Sequence, residues 1–137
     1  MINKQRRFGG IDRLYGPRTV EKLSKAHICI IGVGGVGSWA SEALVRSGIG
    51  KVTLIDMDHV AESNINRQLQ ALESTLGKNK IEVLAQRISE INPDCEVNLI
   101  DDFITPENQQ TLLTDHFDGI IDCIDDLRTK ASLINHC

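Results

Sequence analysis

Residues 31–40 read IGVGGVGSWA and place Gly32, Gly34, Gly35 and Gly37 within six positions. Glycine inside a strand or helix costs about 0.5–1 kcal/mol relative to alanine, so this density needs a cause. The flanks supply one. Residues 27–31 (HICII) form an apolar run suited to a buried strand. Val36, Trp39, Ala40, Ala43 and Leu44 then recur at helical spacing over 35–47. Gly32, Gly34 and Gly37 satisfy G-x-G-x-x-G between the two, and Asp56 closes the next strand. Amides at a helix start point at phosphate, and the helix dipole favours the anion. A carboxylate at the end of the second strand accepts ribose hydroxyls. The stretch therefore predicts a nucleotide site.

The same alternation runs outward along the chain. KVTLI at 51–55, residues 95–100 and GIIDCI at 119–124 read as further strands. Residues 78–91 place Ile81, Leu84, Ala85, Ile88 and Ile91 on one helical face, ended by Asn92-Pro93. Thr105-Pro106-Glu107 marks another helix start, and 127–137 reads as a final helix. Residues 57–77 are polar and irregular, with a short helix expected around Asn66–Leu72. Strand–helix alternation means parallel pairing through right-handed crossovers. The expected fold class is α/β, a doubly wound, mostly parallel, Rossmann-like sheet. Residues 1–26 form a basic arm and helix, and 27–137 the nucleotide-binding domain. The stop at INHC falls within a helical pattern, which predicts an N-terminal portion of a longer chain.

A chain of 137 residues supports one core, and its 41% hydrophobic content suits a globular domain. No apolar run approaches the ~20 residues that span a bilayer, so membrane insertion is not expected and a cytoplasmic location is the default. Cys29, Cys95, Cys123 and Cys137 lack zinc-ligand spacing. Cys29 and Cys123 lie in apolar runs and read as small core residues. The net charge is −4, yet residues 1–25 hold seven cations (Lys4, Arg6, Arg7, Arg13, Arg18, Lys22, Lys25) against Asp12 and Glu21. Such an arm is either a solvated face or a contact for a polyanion.

Three features set this site apart from that of an NAD-dependent dehydrogenase, the reading the glycine loop alone would favour. A long polar excursion carrying Asn64, Asn66 and Arg67 follows Asp56. Lys80 opens the next helix, and a triphosphate needs such cations more than a pyrophosphate does. Asp122, Asp125 and Asp126 gather at the carboxyl end of the fourth strand, where open sheets bind ligands and where Mg²⁺ could take one or two carboxylates. Taken singly, Lys80 could be a surface lysine and Arg67 a loop salt bridge. Asn64 could be turn chemistry, and Asp125 or Asp126 a helix cap.

Gly32-x-Gly-Gly-x-Gly37, Asp56-x-Asp-x-Val, Ser63-Asn64-x-x-Arg67-Gln68, Lys80 and Asp122-x-x-Asp125 together resemble the ubiquitin-activating-enzyme-like (ThiF/MoeB/HesA) adenylyltransferase superfamily across residues 27–130. RFGGIDRLYG at 7–16, with GIGKVTLIDMD and INPDCEVNLIDDF, is similar to its branch of bacterial tRNA threonylcarbamoyladenosine dehydratases. The resemblance implies ATP and Mg²⁺ as cofactors. Gly35 and its neighbours would approach the phosphates, and Asp56 would hold the ribose. Asn64, Arg67 and Lys80 would contact the phosphates, and Asp125 would ligate the metal. It also implies a homodimer in which an N-terminal arginine reaches the partner's site, with Arg13 the candidate and Arg7 the runner-up. The implied substrate is tRNA bearing threonylcarbamoyladenosine, and a sulfur-transfer protein is a further implied partner. The alternative is activation of a ubiquitin-like sulfur carrier at its C-terminus. A zinc-binding Cys-x-x-Cys pair often accompanies that branch and does not occur in these residues.

Overall fold

The computed structural model describes residues 1–136; the expected last residue of the final helix, Cys137, lies outside the described residues. Four parallel strands form one sheet: β1 (His27–Ile31), β2 (Lys51–Ile55), β3 (Glu96–Ile100) and β4 (Gly119–Asp122), in the order β3-β2-β1-β4. The helices are α1 (Lys4–Tyr15), α2 (Thr19–Leu23), α3 (Gly37–Arg46), α4 (Lys80–Ile91), α5 (Gln109–Leu112) and α6 (Leu127–His136). The expected α/β class and mostly parallel Rossmann-like sheet hold.

Alternating strand residues feed two cores. Ile30, Val52 and Leu54 meet Val45 of α3 and Ile81, Leu84 and Ile88 of α4 on one face. Cys29, Ile31 and Ile55 meet Ile104 and Leu133 on the other. Both faces are therefore covered, as an all-parallel sheet requires. The α4 face is the one its periodicity predicts. Asn79 caps it by accepting the Ile81 amide at 3.1 Å.

The strand order reverses beside β1, since β2 and β3 lie on one side of it and β4 on the other. That reversal is a topological switch point, where the carboxyl ends of β1 and β4 leave a crevice. The N-terminal segment docks at the opposite, amino-terminal end. Leu23 accepts the Gly50 amide at 2.9 Å and Ala26 the Lys51 amide at 3.1 Å. Arg7 Nη1 donates to the carbonyl of Ile91 at the end of α4 at 2.7 Å, where a cation suits the helix dipole.

Three local expectations need correction. No helix spans Asn66–Leu72; short 3₁₀ turns at Glu62–Asn64 and Glu73–Thr75 bracket it instead. Gln70 is buried and donates to the Val33 carbonyl at 2.8 Å, so tertiary bonds replace the local helical ones. Pro106 precedes α5 rather than opening it, because Thr105 and Asn108 exchange hydrogen bonds in a turn. β4 stops at Asp122, whose Oδ1 accepts the Ile124 amide at 3.1 Å and turns the chain.

Helices α3 and α4 are tied by Glu42, which accepts from Arg46 at 2.7 Å and from Arg87 at 2.6 and 3.0 Å. The hydrogen bond from Arg87 holds the Glu42 carboxyl below the usual range, against a smaller upward push from burial. A lowered carboxylate stabilises the fold above its unfolded pKa and loses that contribution as pH falls through the folded value. Glu42→Gln should therefore lower the melting temperature at pH 7. The gap to the parent protein should close as the pH is taken below the ordinary glutamate range in thermal scans.

Candidate active site

A cleft of about 680 Å³ opens at the switch point. The structure brings Gly32, Gly34, Gly35, Asp56, Asn64, Arg67, Lys80 and Asp125 to its walls. Gly37 sits behind the glycine turn. Arg13 and Arg7 do not line the cleft; they belong to α1, at the other end of the sheet.

The four glycines divide by cause. Gly32 has φ +85°, and a Cβ there would lie 3.0 Å from the Cys123 carbonyl oxygen. A Cβ on Gly37 would lie 1.7 Å from the Gly32 carbonyl oxygen. These two are demanded by the fold, the first for the turn and the second for the close packing of α3. Gly34 and Gly35 are different. A Cβ there would meet only Gln68 at 3.6 Å or Arg67 at 3.5 Å, which is ordinary contact. The protein itself does not require them, yet both line the cleft. Their small size leaves room for something that approaches the backbone. Val36, at the N-cap of α3, offers no side-chain acceptor; the Ser38 amide is taken by the Gly34 carbonyl at 3.1 Å, and the rest of the first turn is open to a ligand.

Asp56 is 7% exposed and its two oxygens accept the Val33 amide at 2.9 Å and the Asp58 amide at 2.8 Å. It thereby ties the glycine loop to the end of β2. Each carboxylate oxygen keeps a further lone pair for a ribose hydroxyl. Asn64 uses Oδ1 to accept the Ala61 amide at 2.9 Å, so its Nδ2 is the donor it has to offer. Arg67 Nη1 donates to the Ser63 carbonyl at 3.0 Å and to Asn66 Oδ1 at 3.1 Å. These bonds orient the guanidinium and leave it further donors.

Lys80 departs most from the ordinary reading of its residue type. It is only 5% exposed. It opens α4, where the helix dipole disfavours a cation. Among the described residues its ammonium meets one carboxylate, Asp58 Oδ2, at 3.6 Å, beyond normal hydrogen-bond length. Burial without full pairing is costly for a charge. An anion in the cleft would complete it.

At the β4 side, Asp126 caps α6 by accepting the Thr129 amide at 2.7 Å. Its hydrogen bonds from Thr129, side chain first and backbone next, hold its carboxyl below the usual range. The capping alternative thus belongs to Asp126, while Asp125 lines the cleft. Asp122 pairs with Lys130 at 3.0 Å. Cys29 is buried as expected. Cys123 is not a core residue: it lies one step past β4, is part-exposed and lines the cleft. Burial, and then the charge of Asp122, push its thiol up, with Lys130 opposing. It is held as a thiol rather than as a nucleophilic thiolate.

Among the described residues no cluster of three His, Cys, Asp or Glu could form a metal cage. The cleft's carboxylates are Asp56, Asp58 and Asp125. Asp56 is engaged by backbone amides and Asp58 faces Lys80. That donor set fits a Mg²⁺ ion whose other ligands are phosphate oxygens and water. Phe103, Ile104 and Ile124 add apolar walls that sequence reasoning did not assign. Nothing in their spacing marks them, since they follow strand ends. Gln68 stood in the quoted motif without a role; it is buried and lines the cleft.

A family model for the ThiF family matches residues 8–137. The chain belongs to the ThiF family. It is 58% identical over 135 residues to the tRNA threonylcarbamoyladenosine dehydratase of Haemophilus influenzae, covering 98% of this chain and 52% of that protein. The crystal structure of the Escherichia coli tRNA N6-threonylcarbamoyladenosine dehydratase in complex with ATP matches with a TM-score of 0.94 at 51% identity, covering 97% of this chain and 55% of that one. The same enzyme in complex with AMP also matches with a TM-score of 0.94. The chain spans about half the length of the relatives it matches. No helix among the described residues is long and apolar enough to cross a membrane.

The glycines give a paired prediction. Gly37→Ala should cost at least ~3 kcal/mol of stability, since its overlap is with backbone. Gly34→Ala should stay within about 1 kcal/mol of the parent while weakening ATP binding at least ten-fold. Urea denaturation and titration calorimetry check the two halves.

Proposed function

We propose that the chain is the nucleotide-binding portion of an ATP-dependent tRNA threonylcarbamoyladenosine dehydratase acting in the cytoplasm. The buried, incompletely paired Lys80 carries this reading, because it fits a polyphosphate and leaves an NAD site without a use for it. The kinship with dehydratases at 58% identity supports this substrate class.

A carboxylate resists substitution because its leaving group would be oxide. In the proposed reaction an oxygen of the threonine carboxylate attacks the α-phosphorus of ATP. The bond to pyrophosphate breaks, and a mixed anhydride with AMP forms. The carbamoyl group of the same substrate then attacks the activated carbonyl carbon. The bond to AMP breaks, a ring closes, and the substrate has lost the elements of water. The protein's work is positioning and charge stabilisation. The glycine turn at Gly34 and Gly35 holds phosphate. Asp56 holds the ribose while fixing the glycine loop. Asn64 and Arg67 donate to phosphate oxygens, and Lys80 balances the departing pyrophosphate. Asp125 would hold Mg²⁺, which would supply further positive charge to the triphosphate. No cysteine takes part, in keeping with the raised Cys123 thiol.

The functional unit is proposed to be a homodimer in which Arg13 enters the partner's cleft, because within one chain α1 lies away from its own. The basic residues of 1–26 would meet tRNA phosphates, which supply affinity without reading sequence. A sulfur-transfer partner protein belongs to the same reading.

Full-length protein, Mg-ATP and tRNA bearing threonylcarbamoyladenosine should yield a modified nucleoside lighter by one water, dependent on ATP. An unchanged nucleoside, with ATP cleaved only when a ubiquitin-like carrier is supplied, would move the protein to the carrier-activating branch. Lys80→Ala and Asp125→Asn should each cut pyrophosphate release at least a hundred-fold with the fold retained. Unaltered release would remove those assignments.

A further inference from the structure

We infer that Trp39 is a positioning residue for Arg67, holding the loop that carries it against the first turn of α3. The inference rests on the adenylating site proposed above and adds a residue to it.

The indole Nε1 of Trp39 donates to the backbone carbonyl of Arg67 at 2.9 Å, across 28 residues of sequence. Trp39 as a whole is 53% exposed. Nearly half of the tryptophan is covered, and the N–H contact fixes which loop it covers. The neighbouring Ser38 hydroxyl accepts the Leu69 amide at 3.3 Å, a second clasp from the same turn to the same loop. The stem of Arg67 lies over Gly35, within 3.5 Å of where a Cβ would stand. Arg67 Nη1 is in turn held by Ser63 and Asn66 from within the loop.

The consequence is geometric. The turn that presents amides to phosphate also sets the height of the guanidinium above them. Arg67 sits between two irregular turns, with no helix or strand to fix its backbone. Without the indole N–H, the carbonyl loses a partner and the loop can lift. The guanidinium would then meet the phosphates less often, although its own side-chain bonds are intact.

Trp39→Phe keeps an aromatic ring at the site and deletes the N–H together with part of the indole's bulk, which the double-mutant cycle below controls for. In full-length protein the substitution should lower kcat/KM for pyrophosphate release with tRNA bearing threonylcarbamoyladenosine, and ATP affinity, each by roughly five-fold, the worth of one ordinary hydrogen bond. A double-mutant cycle separates positioning from a structural role. In an Arg67→Ala background there is no guanidinium to position, so adding Trp39→Phe should change ATP affinity by less than two-fold. An equal loss in both backgrounds would overturn the inference, as would a lower melting temperature with unchanged affinity. If the parent protein binds ATP but releases no pyrophosphate with tRNA bearing threonylcarbamoyladenosine, the adenylating reading fails, and the affinity cycle still decides the role of Trp39.

Discussion

The structure turns on one close approach of backbone to backbone. The turn after β1 passes so near the start of α3 that no side chain fits at Gly37, and it runs against the Cys123 carbonyl at Gly32. This contact sets where α3 begins. It also sets the distance between β1 and the chain leaving β4, which is the width of the crevice at the switch point. The glycine turn at the start of α3 lines that crevice through Gly34, Gly35 and Val36. Asp56 then locks the loop by accepting the Val33 amide.

A second constraint converts this nucleotide crevice into one suited to a triphosphate. The segment between β2 and α4 does not cross the sheet directly. It folds back under the glycine loop, where Gln70 holds the Val33 carbonyl. It returns beside its own start: the Lys80 amide donates to the Asp58 carbonyl at 3.1 Å, and Val60 to Lys78 at 2.8 Å. That closed excursion carries Asn64, Arg67 and Gln68 to the mouth and brings Lys80 in beneath them. Burying an ammonium at a helix start works against both solvation and the dipole. A fold retains such an arrangement where an anion is bound. The same residues explain why the glycine motif alone misleads toward a dinucleotide.

Much of this was legible in the chain. The apolar runs at 27–31 and 51–55 and the Ile81–Leu84–Ile88 stripe mark the sheet and α4, because burial on both faces leaves a strong pattern. The glycine loop and Asp56 were readable because their spacing reflects a single local turn. The rest was not, for identifiable reasons. Asn66–Leu72 has residues that could build a helix, but its polar side chains bond to groups distant in sequence. Cys123 looks like strand core until the turn at Asp122 ends the strand. The burial of Lys80 is invisible in a helix pattern, since it comes from the folded excursion. Trp39 reads as an apolar helix position, and only the structure shows its N–H on the Arg67 carbonyl.

The central claim is that this cleft transfers AMP, rather than phosphate, to a carboxylate. The direct measurement follows heavy oxygen. tRNA would carry threonylcarbamoyladenosine labelled in the threonine carboxylate, and full-length protein would turn it over with Mg-ATP. Attack at the α-phosphorus places one heavy oxygen in the AMP released at ring closure, and none in pyrophosphate. Label recovered in inorganic phosphate, with ADP as the nucleotide product, would contradict the account.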